Sequence, residues 1–341
     1  MERLPLVSVI MPVRNEMAYI ERSLGAVLRQ DYPADKLEIL VVDALSDDGT
    51  REYIRSMQPA YPSLRLLDNP DRIVAPGLNI GILQAQGDIV VRVDGHCEIA
   101  PDYVRQCVRH LLDDGVDAVG GPIETIGETE EAQAIALAMS SWFGVGGSAF
   151  RTVKDRSLLV ETVAFPAYAR QTLERLCPFV EDMVRNQDDE YNYRLLAQGG
   201  KILLSPDITS RYYSRSSLRS LWRQYYQYGY WKVRVMQKHP RQMRWRQFVP
   251  PTYVGALLMS SLIGVIFRPL WWLLSVIVLL YLLANLAASL SLGRSHGRRL
   301  VPRLLVIHPI LHLSYGLGFL AGMMRFAGRF SNEPRILKPA G

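Results

Sequence analysis

The chain has 341 residues, a formal net charge of +6 and 49% hydrophobic residues, which allows roughly two domains of about 150 residues each. The charge is uneven: from Val249 onward eight arginines and Lys338 face one acid, Glu333, and this +8, taken from +6, leaves −2 for the first 248 residues. A basic, apolar tail points to a membrane, and it argues against a nucleic-acid protein, which would carry its charge on a soluble face. Cys97, Cys107 and Cys177 are unevenly spaced with no Cys-x-x-Cys, which favours a reducing compartment over a disulfide framework. Val7–Val13 is too short for the apolar core of a signal peptide, so none is expected.

In chain order, Val7–Pro12 reads as a strand, and 16–30 as a helix with Ile20, Leu24, Val27 and Leu28 on one face. Leu37–Val42 is a second strand. Ser46-Asp47-Asp48-Gly49-Thr50 is a turn with capping residues, and a helix over 51–57 follows. A strand at 64–67, a helix at 75–86, the Gly87-Asp88 turn and a strand at 89–93 continue the alternation. This rhythm predicts a mostly parallel sheet with crossover helices. Further strands are expected at 116–120 and 162–165, a helix at 189–198 closed by Gly199-Gly200, and a strand at 201–204 stopped by Pro206. No internal repeat or low-complexity segment is evident.

The segment 211–248 holds ten Lys or Arg, ten aromatics and no acid. Basic-aromatic helices of this kind lie in membrane interfaces. Beyond it come apolar stretches of 19 residues (249–267), 25 (269–293) and 21 (304–324). Each approaches the roughly 20 residues that a bilayer core needs. With the front domain cytosolic, two crossings put Arg294, Arg298, Arg299 and Arg303 on the cytosolic side, as positive-inside bias wants. A third crossing would put Arg325, Arg329, Arg335 and Lys338 outside, so a re-entrant or interfacial hairpin at 304–324 is the alternative. His308 and His312 are four apart but lack a third ligand, and read as structural or interfacial.

Three carboxylates carry the chemical reading. Asp43 ends the run 37–42, Asp94 ends the run 88–93, and Asp188 stands at the mouth of the later helix. In open α/β sheets ligands bind at the carboxyl ends of strands. Acids converging there, ahead of a greasy tail, suggest an enzyme handling a charged donor beside a membrane.

The run from Val7 to Glu16, Val41-Val42-Asp43 with Ser46-x-Asp48-Gly49-Thr50, Gly77-Leu78-Asn79-x-Gly81, Gly87-Asp88 and Val93-Asp94 together resemble glycosyltransferase family 2. Asn186–Glu190 with Arg194, and Gln224–Trp231, are similar to the branch that builds exopolysaccharide repeat units, such as the succinoglycan enzymes. The resemblance covers residues 5–240. It implies a GT-A fold, expected over 1–210; the composition read above adds interfacial helices over 211–248, two or three membrane helices over 249–330 and a tail over 331–341. The resemblance also implies a nucleoside-diphosphate sugar donor, a divalent metal (Mn²⁺ or Mg²⁺) and inversion at the anomeric carbon.

By that resemblance Asp43, with the backbone around Pro12 and Glu16, reads the donor base, while Asp48 serves that role or its turn alone. Asp94 opens an Asp-x-Asp motif whose second member is His96, so His96 is expected either to coordinate the metal or to pack beside it. Asp188 is the general base, following Gln187 where the family has Glu, and Arg194 is a structural partner of Glu190. Gln224-x-x-Gln227-Tyr228 aligns with the Gln-x-x-Arg-Trp of processive synthases but lacks the Arg and Trp, which argues for single addition. Arg211 and Arg215, with Gln224, are candidate phosphate or acceptor contacts, with solvated or headgroup-facing arginines as the equal alternative. The expected partners are the sugar donor, a lipid-linked saccharide and membrane lipids, at the cytosolic face of the inner membrane. The rivals are a polyprenyl-phosphate glycosyltransferase, a processive polysaccharide synthase and an inactive membrane scaffold.

Overall fold

The structure is a computed structural model that describes residues 4–214 and 217–329. Arg215 and the tail with Glu333, Arg335 and Lys338 lie outside the described residues. The chain divides into two compact units, and the division is interleaved. Residues up to 124 and 149–212 form the first, while 125–148 joins the chain from Tyr213 in the second.

The first unit opens with β1 (Val7–Val13), α1 (Ile20–Leu28), β2 (Leu37–Asp43), α2 (Thr50–Met57), β3 (Leu64–Asp68), α3 (Val74–Gln84) and β4 (Ile89–Arg92). β1 and β2 are apolar along nearly their whole length because both sheet faces are covered. They run parallel, with Val13 beside Asp43, and Asp43 in turn lies beside Asp68 of β3. The carboxyl ends of three strands therefore finish level. Gly81 lets α3 lie close on β1, since a Cβ there would meet Ile10 Cγ2 at 2.5 Å.

The chain continues through β5 (Cys97–Ile99), α4 (Tyr103–Asp113), β6 (Ala118–Gly121), β7 (Ile123–Ile126), α5 (Glu130–Met139), α6 (Trp142–Val145), α7 (Ala149–Thr152), β8 (Leu158–Leu159), β9 (Ala164–Ala169), α8 (Arg170–Leu176), α9 (Gln187–Ala197), β10 (Ile202–Leu204) and β11 (Ser210–Tyr213). The main sheet has the order β3-β2-β1-β4-β9-β6-β10-β8, and β5-β11-β7 form a small second sheet. β9 runs antiparallel to both β4 and β6. The β6–β9 register shifts between Val119 and Gly121, close to Pro166, which has no N–H to give a ladder.

The second unit holds α5 and α6 with α10 (Leu218–Lys238), α11 (Val249–Gly264), α12 (Leu270–His296) and α13 (Val301–Arg325). The basic-aromatic segment is thus one long helix followed by short 3₁₀ turns at Pro240–Gln242 and Trp245–Gln247. α10 and α13 meet through glycines: Gly229 faces the Tyr315 carbonyl, Gly318 that of Tyr226 and Gly322 that of Tyr230. Small residues allow this close backbone approach. α11, with 16 residues, spans about 24 Å at 1.5 Å per residue, short of a hydrocarbon core. Among the described residues, Leu270–His296 and Arg298–Arg325 are long and apolar enough to cross a membrane. The hairpin alternative for 304–324 is corrected: α13 is one continuous helix despite Pro309.

Pro309 explains the polar residues in this greasy unit. A proline in a helix frees the carbonyl four residues earlier, here Leu305. Asn285 of α12 donates to it through Nδ2 at 2.9 Å. The Asn285 oxygen must then accept, and His308 Nδ1 lies 2.9 Å away. His312 Nε2 donates to the Phe143 carbonyl at 2.9 Å, and Tyr281 donates to its Nδ1 at 2.9 Å. Both His312 nitrogens are occupied, which excludes a metal pair with His308.

Candidate active site

The loops after β1 and β2 are stitched together first. Asn15, at φ 53, donates its backbone N–H to Ser46 Oγ at 2.8 Å and its side chain to Asp47 at 2.9 Å. Glu16 N donates to Thr50 Oγ1 at 3.0 Å, and Met17 N to Asp48 Oδ2 at 3.0 Å. These contacts delay α1 from the expected residue 16 to Ile20. Asp48 is a turn residue here: burial pushes its carboxyl up, but the hydrogen bonds from Thr50 and Met17 prevail and hold it below the ordinary value.

Asp43, with a side-chain exposure of 0%, sits beneath this seam. It accepts from Ser46 N at 3.0 Å, from Ser46 Oγ, and from Arg51 Nη1 at 2.6 Å. Arg51 reaches on to Asp68 at 2.7 Å. Pro12 lies within β1, opposite Val42.

Two strands' width away, Asp94 follows β4. Arg92 Nε lies 2.9 Å from Asp94 Oδ1, and Nη2 lies 3.3 Å from Oδ2. The remaining amino group of Arg92 is paired with Asp188. One guanidinium thus bridges two of the three acids singled out in the sequence. Arg92 is the residue that sequence reasoning misses; its one signal is a lone cation inside an apolar strand.

Asp188 is the second residue of α9, two past the left-handed N-cap Asn186, rather than ahead of the helix. Its side chain keeps 37% exposure. Burial raises its carboxyl pKa most, Arg92 pulls it down, and Asp94 and Asp189 raise it again; the balance lies above the ordinary value. Arg194 pairs with Glu190 at 2.7 Å and caps the Leu176 carbonyl at 2.6 Å, a structural role as expected.

His96 places Nδ1 2.8 Å from Glu16 Oε1 and rests edge-on to Tyr212, with centroids 5.1 Å apart. Glycine at 95 makes this approach available, because a Cβ there would meet Glu16 Cγ at 2.8 Å. Glu16 therefore contributes its side chain to His96 as well as a backbone position. Among the described residues, no cluster of three His, Cys, Asp or Glu is preassembled for a metal. Asp94 and His96 are the residues that could hold one, once Asp94 is shared with or released from Arg92. A carboxylate behind a ligating histidine orients the ring, and Mg²⁺-type sites beside phosphates use one or two protein donors, completed by phosphate and water.

Arg211 pairs with Glu124 at 3.2 Å, both exposed. Gln224 belongs to the second unit, where its Nε2 donates to Tyr228 at 2.9 Å.

A sheet of this order, with acids at the ends of its central strands, is the GT-A fold of glycosyltransferases. Residues 8–177 match the family model "Glycosyl transferase family 2". The chain belongs to glycosyltransferase family 2. It is 28% identical over 330 residues to the succinoglycan biosynthesis protein ExoA of Rhizobium meliloti, covering 94% of this chain and 96% of that one. It is 26% identical to a dolichyl N-acetyl-alpha-D-glucosaminyl phosphate 3-beta-D-2,3-diacetamido-2,3-dideoxy-beta-D-glucuronosyltransferase of Methanococcus voltae, covering 94% and 97%. Among solved structures, the mannosyltransferase PcManGT of Pyrobaculum calidifontis, in complex with GDP-Man and Mn²⁺, superposes with a TM-score of 0.60 at 22% identity, covering 94% and 88%.

Proposed function

We propose that the chain is a membrane-associated, inverting hexosyltransferase. It moves one hexose from a nucleoside diphosphate, UDP first, to a lipid-linked saccharide in exopolysaccharide or other surface-glycan assembly. The observation that carries this reading is the Asp94–Arg92–Asp188 bridge, which keeps a diphosphate-end carboxylate and a proton-accepting carboxylate on one guanidinium. The names of the two long relatives, one in succinoglycan biosynthesis and one acting on a dolichyl-linked sugar, support the acceptor class.

In this reading Asp94 and His96 hold a divalent metal, which supplies charge neutralisation for the departing diphosphate. Asp43 shapes the base pocket through Ser46 and Arg51, beside the backbone of Pro12 and Glu16. The acceptor hydroxyl attacks the anomeric carbon from the face opposite the diphosphate. Its proton passes to Asp188, and the bond between the anomeric carbon and the diphosphate oxygen breaks. The raised carboxyl pKa of Asp188 suits it to accept that proton. Arg211 and Gln224 are proposed acceptor or phosphate contacts. The exposed apolar surface of α12, including Trp272, Leu280 and Leu283, supports seating in the inner membrane with the α/β unit facing the cytosol.

Nucleotide release from nanodisc-reconstituted protein tests the proposal. UDP-glucose, UDP-galactose and GDP-mannose are offered with Mg²⁺, Mn²⁺ or EDTA, with and without a lipid-extract acceptor. Release that requires both metal and lipid is expected. Long polymer would point to a processive synthase, and full activity of Asp188→Asn to a lipid-phosphate nucleophile that needs no base. No release and no nucleotide binding would leave an inactive scaffold.

A further inference from the structure

Arg92 is only 8% exposed, on a strand whose other residues are apolar. Around it stand Ile10, Leu78, Val90, Tyr168 and Phe179. An arginine in such a wall is tolerated when it is fully paired. The pairing is divided: Nε and Nη2 serve Asp94, and Nη1 serves Asp188. Both acids remain partly open, with 21% and 37% of their side chains exposed. One positive charge therefore offsets two negative ones, each of which keeps a solvent-accessible side.

We propose that Arg92 is a positioning residue that couples the two ends of the reaction: it holds Asp188 for the acceptor proton while competing with the divalent cation for Asp94. This rests on the hexosyltransferase reading above. A planar guanidinium fork fixes the direction of each carboxylate it binds, which an ammonium does not. A cation arriving at Asp94 draws that carboxylate off the fork and leaves the guanidinium's charge to Asp188. Loading the donor end thereby tightens the hold on the base. The competition has a cost, because a fixed positive charge stands beside the site of a dication and opposes it.

The prediction separates this role from simple support of the fold, because its two readouts move in opposite directions. Arg92→Gln removes the competing charge and releases the base. Mn²⁺ affinity in the presence of UDP, followed by the loss of the free Mn²⁺ electron-paramagnetic signal, should tighten by about fivefold. kcat should fall by about 10²-fold, with the donor KM nearly unchanged. Arg92→Lys keeps the charge without the fork, so its Mn²⁺ affinity should stay near wild type and its kcat should recover about tenfold over the Gln variant. The full chain in nanodiscs is used throughout. Asp188→Asn gives a second route if Arg92→Gln does not fold: Arg92 then turns wholly to Asp94, and Mn²⁺ affinity should weaken by about threefold.

Parallel loss of metal binding and kcat in a folded Arg92→Gln protein would overturn the coupling. So would unchanged kcat, or unchanged Mn²⁺ affinity in Asp188→Asn. If wild type itself binds no Mn²⁺ with UDP, the hexosyltransferase reading fails first, and the two failures are distinct.

Discussion

Two Asp–Arg–Asp bridges stand at the carboxyl edge of the main sheet, and they differ in what surrounds them. In the first, Arg51 joins Asp43, wholly buried under the seam of two loops, to an exposed Asp68. In the second, Arg92 joins Asp94 to Asp188, and both acids keep an open side. The same three residue types therefore bury one acid completely in the first bridge, although Asp68 at its far end is 62% exposed, and leave both acids partly open in the second. Burial and the completeness of hydrogen bonding, rather than residue type, separate a structural carboxylate from one left open to chemistry.

The sharpest way to break this comparison is to remove the open acids. Asp94→Ala and Asp188→Asn should each lower kcat by about 10³-fold, measured as donor-dependent nucleotide release; Asp94→Ala also unpairs two groups of the buried Arg92 and should lower thermal stability, whereas Asp188→Asn keeps an acceptor oxygen for it and should change stability little. Next comes the buried acid. Arg51→Met strands the buried Asp43 carboxylate and should cost about 3–5 kcal/mol of stability, read from denaturant unfolding. An Arg51→Met protein as stable as wild type would remove the distinction between the bridges.

The acid limb of the pH profile sharpens the comparison further. The folded-state pKa of Asp188 is raised, so its proton is retained to higher pH than an ordinary carboxyl's. A reaction that needs the ionised form then declines as pH falls through that raised value. kcat/KM should show a limb above the ordinary carboxylate range of about 4; a limb at or below that range would take Asp188 out of the base role.

The smallest effect lies in the neutral network of the second unit, where no charge is at stake. Asn285→Leu leaves the Leu305 carbonyl without its partner and His308 with only the long contact to Ser289, and should cost about 1–3 kcal/mol. Pro309→Ala supplies the missing N–H and should recover part of that loss, measured by thermal unfolding in detergent.

Most of the first unit was legible because its strands are unbroken apolar runs and its acids end them. Asp43, Asp94 and Asp188 could be picked out by position alone. Arg92 could not, since a single cation in Ile89–Val93 reads as the solvent side of a strand until the sheet closes over it. The direction of β9 was also hidden, because a short strand carries no local mark of which way it runs. Nor could the sequence separate α12 from α13: both are long and apolar, yet α13 packs glycine by glycine against α10 while α12 stays open. The role of Asn285 became visible only once Pro309 was seen to free the carbonyl it serves.

The interleaved chain path has a practical outcome for anyone wishing to shorten this protein. Residues 125–148 leave the sheet unit, fold with the helices and come back. They are held there by Arg303 on Glu130 at 2.6 Å, by the Leu218 N–H on Glu131 at 3.0 Å and by His312 on the Phe143 carbonyl at 2.9 Å. A polypeptide ending at residue 210 would keep α5 and α6 while deleting all of these partners. Ala134, Ile135, Ala138 and Met139, now buried, would lose the helical unit they fold with. A water-soluble catalytic fragment therefore calls for excision of 125–148 together with the helices, bridged by a short linker, rather than a single cut at the end of the sheet.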